Sequence, residues 1–151
     1  MRHRRYSLIC PQCAHVQVVV RDSLLIANMN PVAEEKMDEE IYFQVTCRQC
    51  GYKYELESEL SYQNLQRKFM LFLHMPQAKK QEGFTCLAVS SASSFYLARR
   101  ILKAGLDVSG VLAKIAALKQ KGYEQVRFLE YDAKNQLLWF EADQVSIAVK
   151  M

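Results

Sequence analysis

Long apolar runs are missing from this chain of 151 residues, and with them any stretch of the roughly 20 apolar residues that a membrane-crossing helix requires. Uncharged apolar segments such as Phe69–Leu73 are only strand-length, so no membrane partner is expected. Arg2, Arg4 and Arg5 look like the start of a secretory leader, but no apolar segment follows them before Cys10 and Pro11, and export is not expected. The chain also lacks internal repeats, low-complexity tracts, a phosphate-cradling glycine loop and a Ser/His/Asp arrangement. With no catalytic constellation to name, the expectation is a protein that is not an enzyme. Cysteine is scarce: of five, four stand in two close pairs and one is left over, which fits a reducing cytoplasm better than a secreted disulfide framework. Half of the residues are apolar, enough for one core or two small ones.

The two close pairs, Cys10-Pro11-Gln12-Cys13 and Cys47-Arg48-Gln49-Cys50, carry the strongest signal. Each puts two thiolates within reach of one ion, and two pairs fill four soft positions without leaving one for water, the pattern of a closed, structural Zn2+ site. Such a turn needs a left-handed backbone after its second cysteine. Gly51 supplies it freely, whereas Ala14 pays about 1–2 kcal/mol. Against roughly 10–16 kcal/mol of apparent binding free energy in structural zinc sites, that cost is small. Arg48 and Lys53 are placed to balance the charge of a four-thiolate centre. Two alternatives share the motif. Iron in a rubredoxin-like site would colour the protein red, and a redox pair would open a helix, whereas residues 14–20 prefer a strand.

Net charge is +4, distributed unevenly. Residues 1–30 hold four basic groups and one acid, residues 31–60 three and eight, residues 61–121 ten and two, and the last thirty three and five. The basic middle is a weak pointer to an anionic partner.

Periodicity predicts a strand-rich first half. Residues 16–20 and 41–46 read as strands beside the cysteine pairs, and the alternation over 52–57 as a half-buried strand paired with 68–74. Asn30-Pro31 followed by acids opens a short helix ending near Glu39. A polar stretch over 75–83 reads as a linker, giving an expected division into 1–76 and 77–151. Beyond it come a strand over 84–89, then a helix capped by Ser91 or Ser93 that buries Phe95, Ala98, Ile101 and Leu102 and stops at Gly105. A second helix opens at Asp107, turns Val108, Val111, Leu112, Ile115 and Leu118 inward, and ends at Gly122. Strands over 126–131 and 137–140 flank a turn, and alternation over 145–149 marks the last strand.

The cysteine pairs, with Arg21-Asp22-Ser23, Asn28-Met29-Asn30-Pro31, Gly51-Tyr52-Lys53-Tyr54 and the stretch 62–76, resemble the CpXC domain, a bacterial zinc-ribbon family. The resemblance is good over about residues 6–76 and looser over 101–111. It implies metal binding through Cys10, Cys13, Cys47 and Cys50 and no settled activity. The chain departs from the family at Ala14, where Gly is usual, and at Arg48, where Pro is usual. The expected architecture is therefore α+β: an N-terminal zinc ribbon with rubredoxin-like knuckles and antiparallel strands, then a helical hairpin and a small antiparallel sheet.

Other residues receive plainer readings. Cys86 reads as a packed thiol, His15 as a strand residue beside a closed shell, and His3 and His74 have no visible partner. Glu55, Glu57 and Glu59 read as the solvated face of a strand, and Tyr52, Tyr54, Phe69 and Phe72 as core. Two roles follow. The first is a protein-interaction or scaffolding module stapled by one zinc ion, with another protein or a second copy as partner. The second is nucleic-acid binding through Arg99, Arg100, Lys103, Lys114, Lys119 and Lys121.

Overall fold

The computed structural model describes residues 2–76 and 81–151 and is α+β, with three helices among those residues. It divides into two units, one ending at Tyr96 and the other running from Leu97 to Met151.

The first unit opens with a hairpin, β1 (His3–Ile9) and β2 (Val16–Asp22), whose turn is the first cysteine pair. β3 (Leu24–Ile26) follows, and then α1 (Pro31–Asp38). The Asn30 side chain accepts from Ala33 N–H at 3.1 Å, and Pro31 at the first helical position loses no internal bond. β4 (Gln44–Thr46) and β5 (Lys53–Glu55) form a second hairpin, closed by the second cysteine pair. β6 (Leu60–Asn64), β7 (Phe69–Leu73) and β8 (Thr85–Val89) join β3 in a mixed sheet of order β3-β6-β7-β8. Its outer pairs are parallel and its central pair antiparallel. One face of this sheet carries Leu25, Tyr62, Phe69, Leu71 and Leu73, all buried, and Tyr62 meets Phe95 edge-on with ring centroids 5.9 Å apart. Phe43, fully buried, packs on Phe95 and Tyr96, and its N–H donates to Tyr96 Oη at 3.3 Å.

The expected pairing of residues 68–74 is corrected. Residues 69–73 pair with β6 and β8, not with the strand after the second cysteine pair; β5 is short and its partner is β4. Local alternation fixes which residues make a strand but not which strand they meet. The expected boundary at 76/77 and the observed division fall in different places, because β8 is hydrogen-bonded to β7 and so belongs to the first unit. Much of the expected linker, residues 77–80, lies outside the described residues.

The second unit takes the last part of α2 (Ala92–Lys103), then α3 (Val108–Gln120) and the antiparallel sheet β9 (Val126–Asp132), β10 (Leu137–Ala142) and β11 (Val145–Lys150), with β10 central. Gly105, at φ 76°, ends α2, and Asp107 caps α3 through Gly110 N–H at 3.1 Å. Ile101, Leu106, Val111, Ile115, Leu118, Phe128, Leu138 and Phe140 form the core. Leu112, expected inside, is exposed; it lies one residue past Val111 and turns away from the face that Ile115 and Leu118 bury.

Candidate metal centre

Both cysteine pairs sit in hairpin turns, and the two turns repeat one another bond for bond. Cys10 N–H donates to His15 C=O at 2.9 Å and Ala14 N–H to Cys10 C=O at 3.0 Å; Cys47 N–H donates to Tyr52 C=O at 2.8 Å and Gly51 N–H to Cys47 C=O at 3.0 Å. Ala14 (φ 63°) and Gly51 (φ 77°) hold the left-handed position. This geometry turns backbone donors onto sulfur: Gln12 N–H reaches Cys10 Sγ at 3.4 Å.

The hairpins bring the four sulfurs of Cys10, Cys13, Cys47 and Cys50 within 4.8 Å of one another. Cys10 Sγ lies 3.6 Å from Cys50 Sγ, and Cys13 Sγ 3.6 Å from Cys47 Sγ. Four thiolates at about 2.3 Å from a tetrahedral ion stand about 3.8 Å apart, so the cluster fits a metal ion with little adjustment. None of the four is in a disulfide. Cys10 and Cys47 are buried, Cys13 is half-buried and Cys50 is exposed, so the site lies at the surface end of the two hairpins.

Electrostatics favour the same reading. Donation from Cys50 N–H, and then from Gln49 N–H, brings the Cys47 thiol down to about 6. Cys13 accepts from His15 N–H, yet burial and the three neighbouring sulfurs push its thiol up to about 12. Four negative sulfurs do not share so small a space without a cation, and a divalent ion removes the conflict. Burial first, and then the sulfurs' charge, also raises the Tyr54 phenol, whose oxygen is buried with no hydrogen-bond partner among the described residues.

One contributor escaped the sequence reading. Gln17, a buried polar residue in the apolar run of β2, bridges the hairpins: its Nε2 donates to Thr46 C=O at 3.3 Å and its Oε1 accepts from Arg48 N–H at 3.0 Å. An amide interrupting a valine strand was the available signal. Arg21 Nη2 adds a bond to Gln44 C=O at 3.0 Å, and Arg48 Nη2 one to Val18 C=O at 3.4 Å.

The remaining candidates lie elsewhere. Glu57 is not on a strand; its Oε1 accepts from Ala92 N–H at 3.1 Å and pairs with His74 Nε2 at 3.0 Å. His3, likewise read as partnerless, pairs with Asp22 at 2.7 Å. Cys86 is half-buried on β8, and Tyr52 is exposed and stacks on Tyr54, whereas Phe69 and Phe72 are core. Arg99 is only 3% exposed, and Arg100 Nη1 donates to Phe128 C=O at 3.0 Å, so these two do not belong to a solvated basic face.

The chain is thus, by class, an α+β protein whose two hairpin turns gather four thiols into a cluster able to hold a metal ion. The family model described as CpXC protein matches residues 8–130, most of the chain, and the protein belongs to the CpXC family. No curated protein and no solved structure matches it. No helix among the described residues is long and apolar enough to cross a membrane.

Proposed function

We propose that Cys10, Cys13, Cys47 and Cys50 hold one Zn2+ as a structural staple of zinc-ribbon type, and that the chain is a non-catalytic module for docking another protein in a reducing cytoplasm. The observation that carries this reading is the closed donor set: four sulfurs within 4.8 Å, in matched turns. A tetrahedral shell completed by protein leaves no position for water or substrate, which separates structural from catalytic zinc. The ion would neutralise the thiolates and fix two short hairpins that bury little of their own; a two-stranded hairpin alone is marginal in water. A protein partner is favoured over nucleic acid because Arg99 and Arg100 are engaged within the fold.

Two measurements test this. Elemental analysis of protein purified without added metal should give one zinc per chain; iron or no metal overturns the assignment. Affinity capture from native cells should return protein, whereas abundant nucleic acid without a protein partner overturns the docking role.

A further inference from the structure

The β1–β2 hairpin leaves one edge open, and its chemistry indicates what closes it. Because Cys10 N–H bonds His15 C=O at one end and Ser23 N–H bonds Arg2 C=O at the other, the even-numbered residues of β1 face β2. The N–H and C=O groups of His3, Arg5, Ser7 and Ile9 therefore point outward, and no backbone hydrogen bond reaches them among the described residues. The opposite edge, on β2, is partly occupied by Arg48 at Val18 C=O. Along the open edge, on the face of the outward residues, stand His3, Arg5, Ser7 and Ile9, the last 67% exposed, and one strand further in, on β2, Val16, Val18 and Val20 are 56, 43 and 54% exposed. A seven-residue edge with its backbone groups unpaired is a template for another strand.

Two further features specify the occupant. No acidic residue stands between Arg2 and Ile9, while Arg2, Arg4 and Arg5 are all basic, and among the described residues Arg4 pairs with Glu59 at 2.9 Å. At the start of β1 a groove of about 650 Å³ opens between Arg2, His3 and Arg4 and the sheet face of Leu24, Met70 and Phe72, within the roughly 300–1,000 Å³ of ligand-holding clefts. Pairing with a second copy is less well supported. A second copy would bring its own Arg2, Arg4 and Arg5 to a basic edge, like charge against like.

We propose that the outer edge of β1 docks an extended, acidic strand of a partner protein, with its end entering the groove at Arg2. This deepens the docking reading above and rests on it. The strand gains main-chain hydrogen bonds from the odd residues of β1 and, from Arg2 and Arg5, a basic field for its acids.

The probe is a fluorescein-labelled peptide as long as β1, alternating glutamate with valine, and its lysine-for-glutamate counterpart, titrated by polarisation into zinc-loaded full-length protein. Ser7→Pro deletes an outward N–H while sparing every β1–β2 bond, because Ser7 faces Val18 in a non-bonded pair. The acidic peptide should bind saturably and the lysine peptide should not; Ser7→Pro should weaken binding at least about ten-fold. In hydrogen exchange, Arg5, Ser7 and Ile9 amides should gain protection. Should Ser7→Pro misfold, as read by zinc content and amide dispersion, Arg2→Glu with Arg5→Glu tests the same surface and should transfer preference to the lysine peptide.

Absence of binding by the acidic peptide, equal binding to wild type and Ser7→Pro, or unchanged amide protection overturns the proposal. So does a concentration-dependent dimer that Ser7→Pro abolishes, which would give the edge to a second copy. If native-cell capture recovers the same proteins with wild type and Ser7→Pro, the edge assignment falls while the docking role stands.

Discussion

Exchanging the residues at the two left-handed positions of the metal centre tests the geometry directly. Ala14 (φ 63°) and Gly51 (φ 77°) make the same bond to the carbonyl of the first cysteine of their pair, so they differ mainly in the presence of a Cβ. A methyl group built at Gly51 meets nothing within 4 Å, so steric collision with neighbours contributes nothing and only the backbone conformation is at stake. Left-handed backbone costs an alanine about 1–2 kcal/mol, and glycine loses about 0.4–1 kcal/mol more conformational freedom on folding. Ala14→Gly should therefore stabilise the zinc-loaded protein by roughly 0.5–1 kcal/mol, and Gly51→Ala should destabilise it by a similar amount. The double exchange should be near neutral, with any departure reporting coupling through the shared ion. Urea denaturation of zinc-saturated protein supplies the free energies, and chelator competition reads the change in zinc retention. A destabilising Ala14→Gly, or a Gly51→Ala indistinguishable from wild type, would refute the argument that the two turns are equivalent.

Three further outcomes are expected. Cys47→Ser should abolish stoichiometric zinc and disorder both hairpins, while the amides of α3 and of β9 to β11 keep their dispersion, since that unit has its own core; elemental analysis and backbone NMR read both. Gln17→Leu should cost about 1–3 kcal/mol in denaturation, because Thr46 C=O and Arg48 N–H lose their partner, with the zinc ligands untouched. Asp107 is held below the usual carboxylate range by the Ser109 hydroxyl and then by Gly110 N–H. Its contribution is therefore present above the unfolded-state pKa and is lost as pH falls through the lower folded value, so Asp107→Asn should flatten that acid limb in pH-dependent melting while retaining the cap.

What the sequence disclosed tracks the range of the interactions involved. The four cysteines, the left-handed Ala14, the Asn30 and Asp107 caps and the stop at Gly105 are local, depending on a few neighbouring residues, and each was readable. Strand partners depend on contacts far apart in the chain. Residues 69–73 present apolar side chains on both faces, which suits a central strand, but nothing local says that β8 joins them in parallel. Glu57 was misread for a related reason. Its role is to reach the first turn of α2, a helix that begins 35 residues later, and to hold His74, neither of which alternation over 55–59 reveals. The surroundings of the basic residues were equally hidden, since helical spacing places Arg99 and Lys103 on one side without telling that Arg99 is buried.

The position of the metal centre links stability to the proposed docking edge. β1 and β2 belong to a sheet of two strands, and such a ribbon does not hold its shape in water unaided. At its far end it is tied down by Ser23 N–H to Arg2 C=O and by the ion pair of His3 with Asp22, and along β2 by Gln17 and Arg21 reaching the second hairpin. At its turn, Cys10 and Cys13 meet Cys50 and Cys47 of the second hairpin. Zinc at that turn would therefore set the twist and spacing of the strand whose outer side faces solvent. A structural ion at the rim, where Cys50 is exposed, would stabilise the body of the first unit less than it would fix this edge, since the mixed sheet and its aromatic core bury Tyr62, Phe69 and Phe95 without it. On the proposed reading, a metal at this turn would preorganise β1 and lower the ordering cost that a partner would otherwise meet on pairing with it.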